Sequence, residues 1–240
     1  MKNTLFTHFF LILLLWLPTA IAQQSAPNSP RPYSDPQRFA NAMANFAAMD
    51  KESPAPENAI VFVGSSSIRR WNTLTEDMAP LTVINRGFGG SNMHDALDHI
   101  EQTVLRYKPR AVVLYEGDND LSSFKATPAM VMEAFTDFTD RLYHRLPQTR
   151  LYVLSIKPSL SRMDVWPTMQ LTNQQLVKAC TVMSKCEYID VATPMFSNDG
   201  GLSKSLFVED DLHMTPAGYK IWTDAIKPVL MKNELTFESE

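Results

Sequence analysis

The chain has 240 residues, 45% hydrophobic and 20% charged, which suits one sizeable core and excludes both a disordered polymer and two comfortable domains. With 22 Lys and Arg against 26 Asp and Glu its formal net charge is −4, and it has no basic tract, so nothing steers it toward nucleic acid.

The first stretch stands apart. Lys2 precedes the apolar run Leu11 to Leu17, Pro18 breaks that run, and Ala20-Ile21-Ala22 offers small residues for cleavage before Gln23. This is the pattern of a secretory signal peptide over residues 1–22, with an apolar run too short to span a bilayer. Its removal takes away Lys2 and leaves 21 basic residues against 26 acidic, a net charge of −5. No later run approaches spanning length, so the mature chain is expected to be soluble, without a transmembrane segment, and exported to the periplasm or the medium. Residues 23–34 (QQSAPNSPRPYS) read as a flexible Pro/Ser-rich leader, and residues 35–240 as the one folded domain.

From Asp35 the chain alternates. Residues 36–51 have helical composition, with Asp35 as a possible cap and Pro36 at the first position. Short apolar runs follow at 60–63, 81–84, 111–115, 151–156 and 188–191. Helix-like segments separate or follow them at 92–107, 128–146, 166–183 and 216–231. Continuous Val/Ile/Leu runs without polar alternation predict strands buried on both faces. Strands separated by helices predict parallel β-α units with right-handed crossovers. The expected fold is a three-layer α/β/α sandwich with about five parallel strands.

Only eight glycines are present, and Gly64, Gly87, Gly89, Gly90 and Gly117 all fall just after the first three runs. Ligands bind open α/β sheets at the carboxyl ends of the strands, and glycine lets backbone turn sharply or approach a ligand. The glycines therefore mark one rim of the sheet as the site. Four motifs lie along it. In "VFVGSSS" a hydroxyl at a strand-to-helix turn meets the positive end of a helix; Ser65, Ser66 or Ser67 is either an attacking nucleophile or an ordinary helix cap. A phosphate-binding loop fits less well because the glycine-lysine pattern is missing, and Ile68 stands where a Gly-x-Ser-x-Gly elbow needs glycine.

In "NRGFGG" the Gly90 N–H can face the same crevice, and in "EGDND" so can the Asn119 amide, which is otherwise a plain turn residue. Donors converging there would stabilise an oxyanion, at roughly 3–4 kcal/mol for each one removed. In "VEDDLHMTPAGY" the spacing of Asp210 and His213 lets a carboxylate fix the tautomer of an imidazole base on a tight turn; the plain alternative is an acidic surface loop. His94, His99 and His144 lie within predicted helices, and His94, one turn past Gly90, is the nearest rival. Cys180 and Cys186 suit either a small-loop disulfide or two unpaired small hydrophobes.

Taken in order, "VFVGSSS", "NRGFGG", "GDND" and "DDLH" resemble the four blocks of the SGNH/GDSL hydrolase superfamily, over residues 60 to 230 or so. Among its members the layout is most similar to exported bacterial GDSL-type esterases. The resemblance implies a flavodoxin-like fold with Ser66 as nucleophile, and Ser66 N–H, Gly90 N–H and Asn119 as oxyanion hole. It implies His213 as base, Asp210 as its partner, and no metal or organic cofactor. The family's first block usually reads Gly-Asp-Ser. Ser65 replaces the Asp here, which makes Ser65 a rival nucleophile.

The implied activity is hydrolysis of a small-molecule or lipid-like ester: lysophospholipid, O-acetylated sugar, short aliphatic ester or thioester. Loops 157–169 and 197–209 flank the expected site, and Arg162, Met163 and Trp166 could contact an acyl chain or polar head, although packing within the loop is the more ordinary role for each. Two other readings compete. Glu116, Asp118, Asp120, Asp210, Asp211 and His213 could serve a metal-dependent phosphohydrolase, and a decayed site would leave a non-catalytic ligand-binding module of the cell envelope. The sequence leaves the oligomeric state open.

Overall fold

The apolar runs become strands, the central ones at Ile60–Gly64 and Ala111–Tyr115 buried along their whole length and the edge strand at Cys186–Ile189 only in part. In the computed structural model, which describes residues 35–238, five of them pair into one wholly parallel sheet. The expected signal peptide (1–22) and leader (23–34) lie outside the described residues. The strands are β1 (Ile60–Gly64), β2 (Val83–Gly87), β3 (Ala111–Tyr115), β4 (Arg150–Leu154) and β5 (Cys186–Ile189), in the order β2-β1-β3-β4-β5. Ile60 stands opposite Val83 on one side and Ala111 on the other, so the sheet grows from β1 first one way and then the other. This flavodoxin-like order opens a crevice at the carboxyl ends of β1 and β3.

The helices are α1 (Ala40–Glu52), α2 (Ser66–Arg69), α3 (Leu74–Met78), α4 (Met93–Asp98), α5 (Ile100–Thr103), α6 (Asp118–Ser122), α7 (Pro128–Arg145), α8 (Trp166–Val182) and α9 (Pro216–Glu234). Alternate residues of each strand feed two cores. Val61, Val63, Val112 and Leu114 pack with Phe46, Leu97, Phe135, Phe138 and Leu176 of α1, α4, α7 and α8. Ile60, Phe62, Val113 and Tyr115 pack on the other face with Ile68, Trp71, Met78, Trp222 and Ile226. Each fully buried side chain of this size stabilises the fold by about 1.5–3 kcal/mol.

The boundaries depart from the apolar pattern where something other than apolarity sets them. β2 runs on through Asn85 and Arg86, because the register with β1 continues and both polar groups are satisfied: Asn85 Nδ2 donates to the Ile68 carbonyl at 2.7 Å, and Arg86 Nη2 to Asp50 at 2.5 Å. The expected helix over 92–107 breaks into α4, α5 and a 3-10 turn. The break falls at His99, whose ring packs edge-on against Phe39 and Phe88. Asp35 does not cap α1, which starts at Ala40; its carboxylate instead accepts from the Gln37 N–H at 3.0 Å. Cys180 and Cys186 are joined in a disulfide between α8 and β5. Among the described residues no helix is long and apolar enough to cross a membrane.

Candidate active site

Ser66 opens α2 immediately after β1. The turn that presents it needs glycine at position 64: its φ is +150°, and a Cβ there would lie 2.2 Å from the Tyr115 carbonyl oxygen. Of the three hydroxyls, it is Ser66 Oγ that meets an imidazole, lying 2.8 Å from His213 Nε2. Ser65 is 2% exposed and donates its backbone N–H to Tyr115; its side chain makes no cap bond and no bond to His213. His94 is buried on α4, and His144 lies in the last turn of α7.

His213 and Asp210 sit on one tight turn before α9, as their spacing suggests. Asp210 Oδ2 lies 2.5 Å from His213 Nδ1, while Oδ1 accepts the backbone N–H groups of Leu212 (3.0 Å) and His213 (2.9 Å). Desolvation pulls the Asp210 carboxyl upward. The bonds from the His213 ring and the two N–H groups outweigh that and hold it well below the ordinary carboxylate range. An ionised Asp210 can only accept, so Nδ1 carries the proton and Nε2 offers its lone pair to Ser66.

The donor side is assembled from two loops. The Phe88 N–H bonds the Gly64 carbonyl at 2.9 Å, seating the β2–α4 loop against the turn that carries Ser66. Gly90 has φ +88°, and its carbonyl accepts from Arg38 Nη2 at 2.8 Å. Neither the Ser66 nor the Gly90 N–H donates to a protein acceptor among the described residues. Asn119, at the start of α6, gives one Nδ2 hydrogen to the Ser91 carbonyl at 2.8 Å and keeps the other. The three groups expected as donors thus retain one N–H each.

The acidic residues after β3 do not gather as ligands. Asp120 takes the N–H groups of Met93 and Gly117, both at 3.0 Å, and Glu116 takes the Ser91 hydroxyl at 2.5 Å. Asp118 pairs with Arg162 at 2.6 Å and approaches Lys157 Nζ at 3.7 Å. Asp211 has an oxygen 3.9 Å from Lys204 Nζ. Among the described residues no three His, Cys, Asp or Glu side chains converge on a point that could hold a metal ion, so the six residues of the phosphohydrolase reading do not form one centre. Burial pushes the Asp120 carboxyl up to about 7 and Glu116 well above its usual range, the latter helped by the neighbouring Asp120 charge.

Two side chains matter in ways their sequence context concealed. Arg162 bonds Asp118, Asn119 Oδ1 (3.1 Å) and Ser123 Oγ (3.3 Å) within the protein, the packing role that the sequence offers beside a substrate contact. Lys157, fully buried, donates to the Leu212 carbonyl at 2.9 Å, one residue before His213. Burial pulls its ammonium pKa down, and the Asp118 charge pushes it partly back. Trp166 packs on Phe196 with ring centroids 5.5 Å apart, and Met163 is exposed.

Comparison with known proteins agrees with this architecture. The model of the GDSL-like lipase/acylhydrolase family matches residues 59–221. A provisionally named platelet activating factor from Streptococcus pneumonia superposes with TM-score 0.71 at 20% identity, over 79% of this chain and 91% of its own. A GDSL-like lipase from Bacteroides thetaiotaomicron gives 0.68 at 19% identity, over 79% of this chain and 97% of its own. A catalytic mutant of an acetylxylan esterase from Geobacillus stearothermophilus gives 0.58 at 15% identity, over 70% and 91%. At such identities the likeness is one of fold. No curated protein sequence matches the chain.

Proposed function

The chain belongs to the GDSL-like lipase/acylhydrolase family, and on that premise we propose that it is a serine esterase cleaving carboxylic esters through an acyl-enzyme on Ser66. The observation that carries this reading is the unbroken relay Ser66 Oγ to His213 Nε2 (2.8 Å), His213 Nδ1 to Asp210 Oδ2 (2.5 Å). Ser66 Oγ attacks the ester carbonyl as His213 Nε2 takes its proton. The imidazolium formed is stabilised by Asp210 and returns the proton to the leaving alcohol. Water, activated by the same nitrogen, then attacks the acyl-enzyme and frees Ser66. Through both steps the Ser66 and Gly90 N–H groups and the remaining Asn119 Nδ2 hydrogen receive the carbonyl oxygen as it gains charge.

The substrate lies within the range of lipid-like, short-chain aliphatic and O-acetyl sugar esters. The reaction as written uses water together with side chains and backbone N–H groups of this chain. The site of action proposed is outside the cytoplasm, a reading supported by the charged, apolar and small-residue sequence of residues 1–22 and by a Cys180–Cys186 bond suited to an oxidising compartment. Amino-terminal sequencing of the exported protein checks that part: a mature chain starting near Gln23 is expected, and a cytoplasmic chain retaining Met1 contradicts it.

The test of the activity is turnover of p-nitrophenyl esters of increasing acyl length, run beside acetylated xylan, for the wild type, Ser66→Ala and His213→Ala. Each substitution is expected to lower kcat by about 1,000-fold or more with the fold intact. Wild-type turnover by Ser66→Ala refutes the nucleophile. A preference for acetate assigns a deacetylase, and tolerance of medium chains assigns a lipid-like substrate.

A further inference from the structure

We propose that Arg162 is a positioning residue for the oxyanion hole: it holds the Asn119 amide in its working orientation and is itself held rigid by Asp118. The inference rests on the reading of Asn119 as an oxyanion donor. The two ends of that amide meet opposite partners. Its Oδ1 faces a guanidinium, which can only donate, at 3.1 Å, and its Nδ2 faces the Ser91 carbonyl, which can only accept, at 2.8 Å. With the amide plane fixed at both ends, the second Nδ2 hydrogen has one direction left. A positive charge on the amide oxygen also polarises the group, which makes that N–H a stronger donor toward a developing oxyanion.

Arg162 is a suitable clamp because its guanidinium is tied at several points. Its side chain is 15% exposed, and Nη1 bonds Asp118 Oδ1 at 2.6 Å while Nη2 reaches Ser123 Oγ at 3.3 Å. Asp118 is in turn fixed from its other oxygen, by the Tyr115 hydroxyl at 3.2 Å and the buried Lys157 ammonium at 3.7 Å. Lys157 donates onward to the Leu212 carbonyl, in the turn that carries Asp210 and His213. One carboxylate thus links the Asn119 side of the site to the His213 side. The planar guanidinium spans Asp118, Asn119 and Ser123 at once, a geometry that an ammonium, as a point charge, does not reproduce.

The experiment is a double-mutant cycle of Arg162→Met and Asn119→Ala, with Arg162→Lys alongside, measuring kcat, KM and the pH profile for p-nitrophenyl acetate. Arg162→Met is expected to lower kcat about tenfold or more with KM within about twofold, and to leave the acid limb of the profile in place, since His213 keeps its partners. In the Asn119→Ala background the same substitution is expected to change kcat by less than about twofold, because its target is gone. Arg162→Lys should fall between wild type and Arg162→Met, and it carries the test if the methionine variant does not fold. A kcat within about twofold of wild type for the folded Arg162 variant, or an Arg162 loss repeated in full without Asn119, overturns the proposal. Full turnover by Asn119→Ala instead overturns the assignment of Asn119 as donor, an outcome distinct from failure at Arg162.

Discussion

Replacing Asp210 by Asn should damage turnover more than replacing it by Ala. Oδ1 of Asp210 already serves the N–H groups of Leu212 and His213 at 3.0 and 2.9 Å. An Asn side chain that keeps those bonds must turn its NH2 toward His213 Nδ1. An NH2 can only donate, so Nδ1 becomes an acceptor and the ring proton moves to Nε2. That nitrogen then cannot take the proton of Ser66. Rotating the amide to escape would forfeit two hydrogen bonds of about 1 kcal/mol each, so the wrong tautomer is held by about 2 kcal/mol. Both variants also lose the attraction between carboxylate and imidazolium. That attraction is worth about 4 kcal/mol at ~4 Å and an effective dielectric of 20, and about half of it survives once discounted for a carboxylate 44% exposed. The Asn variant is thus expected to lose about 1,000-fold in kcat and the Ala variant nearer 30-fold. The Ala variant should keep its turn, because Lys157 still holds the Leu212 carbonyl and the Val208 N–H still bonds the His213 carbonyl at 2.8 Å. The assay is steady-state hydrolysis of p-nitrophenyl acetate by the two variants at one pH. An Asn variant as fast as the Ala variant, or faster, refutes the reasoning.

Three further outcomes follow from the same contacts. A serine-directed phosphonate should add its mass to Ser66 alone, and Ser65→Ala should keep kcat within about threefold; an adduct on Ser65 reverses the assignment. Burial lifts Asp95 from 3.8 to about 6, so its contribution to stability is whole below about pH 4 and is lost as the pH rises through 6. Asp95→Asn should therefore gain about 3 kcal/mol on the wild type between pH 4 and 7.5, read from urea midpoints, and a gap that does not change with pH contradicts this. Gly64→Ala should reduce the yield of folded protein or its melting temperature, since its Cβ meets the Tyr115 carbonyl with no flexible atom to yield; a variant of wild-type stability disproves the stated need for glycine.

Much of this architecture was legible in the sequence, for reasons that also mark where legibility stops. Runs such as Ile60–Gly64 and Ala111–Tyr115 announce themselves because both faces of a central strand must be apolar. Their ends do not, since register rather than apolarity carries β2 through Asn85 and Arg86. Helices α2, α3 and α6 span only four or five residues, too few for a 3.6-residue period to show. Gly90, Asn119, Asp210 and His213 could be singled out because each lies in a short motif at a strand end or helix start, whereas only the family resemblance chooses Ser66 over Ser65 and Ser67. The structure places the hydroxyl, imidazole and carboxylate of that set in hydrogen-bond contact. The partners of Arg162 were not legible: Asn119 is 43 positions away and Asp118 44, and no local spacing encodes such a meeting. A loop arginine beside a site reads equally as a substrate contact or as loop packing, and sequence alone does not name the groups it packs on.

The acidic run after β3 shows how the same residues can suggest one chemistry and support another. An oxyanion forming beside three carboxylates would meet opposition of about 2 kcal/mol from each like charge at ~7 Å and an effective dielectric of 20. Such a run therefore makes sense next to anionic chemistry only if its charge is cancelled. The surroundings do this in two ways. Asp118 is offset by Arg162 and Lys157, while burial drives Glu116 and Asp120 toward their neutral forms. What remains useful is hydrogen bonding. Asp120 ties the Met93 N–H to the Gly117 N–H, Glu116 fixes the Ser91 hydroxyl, and the Ser91 carbonyl fixes Asn119. The cluster that resembles a cation site by composition is spent on holding Asn119 and its loop still; on the proposed reading of Asn119 as an oxyanion donor, that is the condition under which fixed dipoles stabilise a transition state without reorganising.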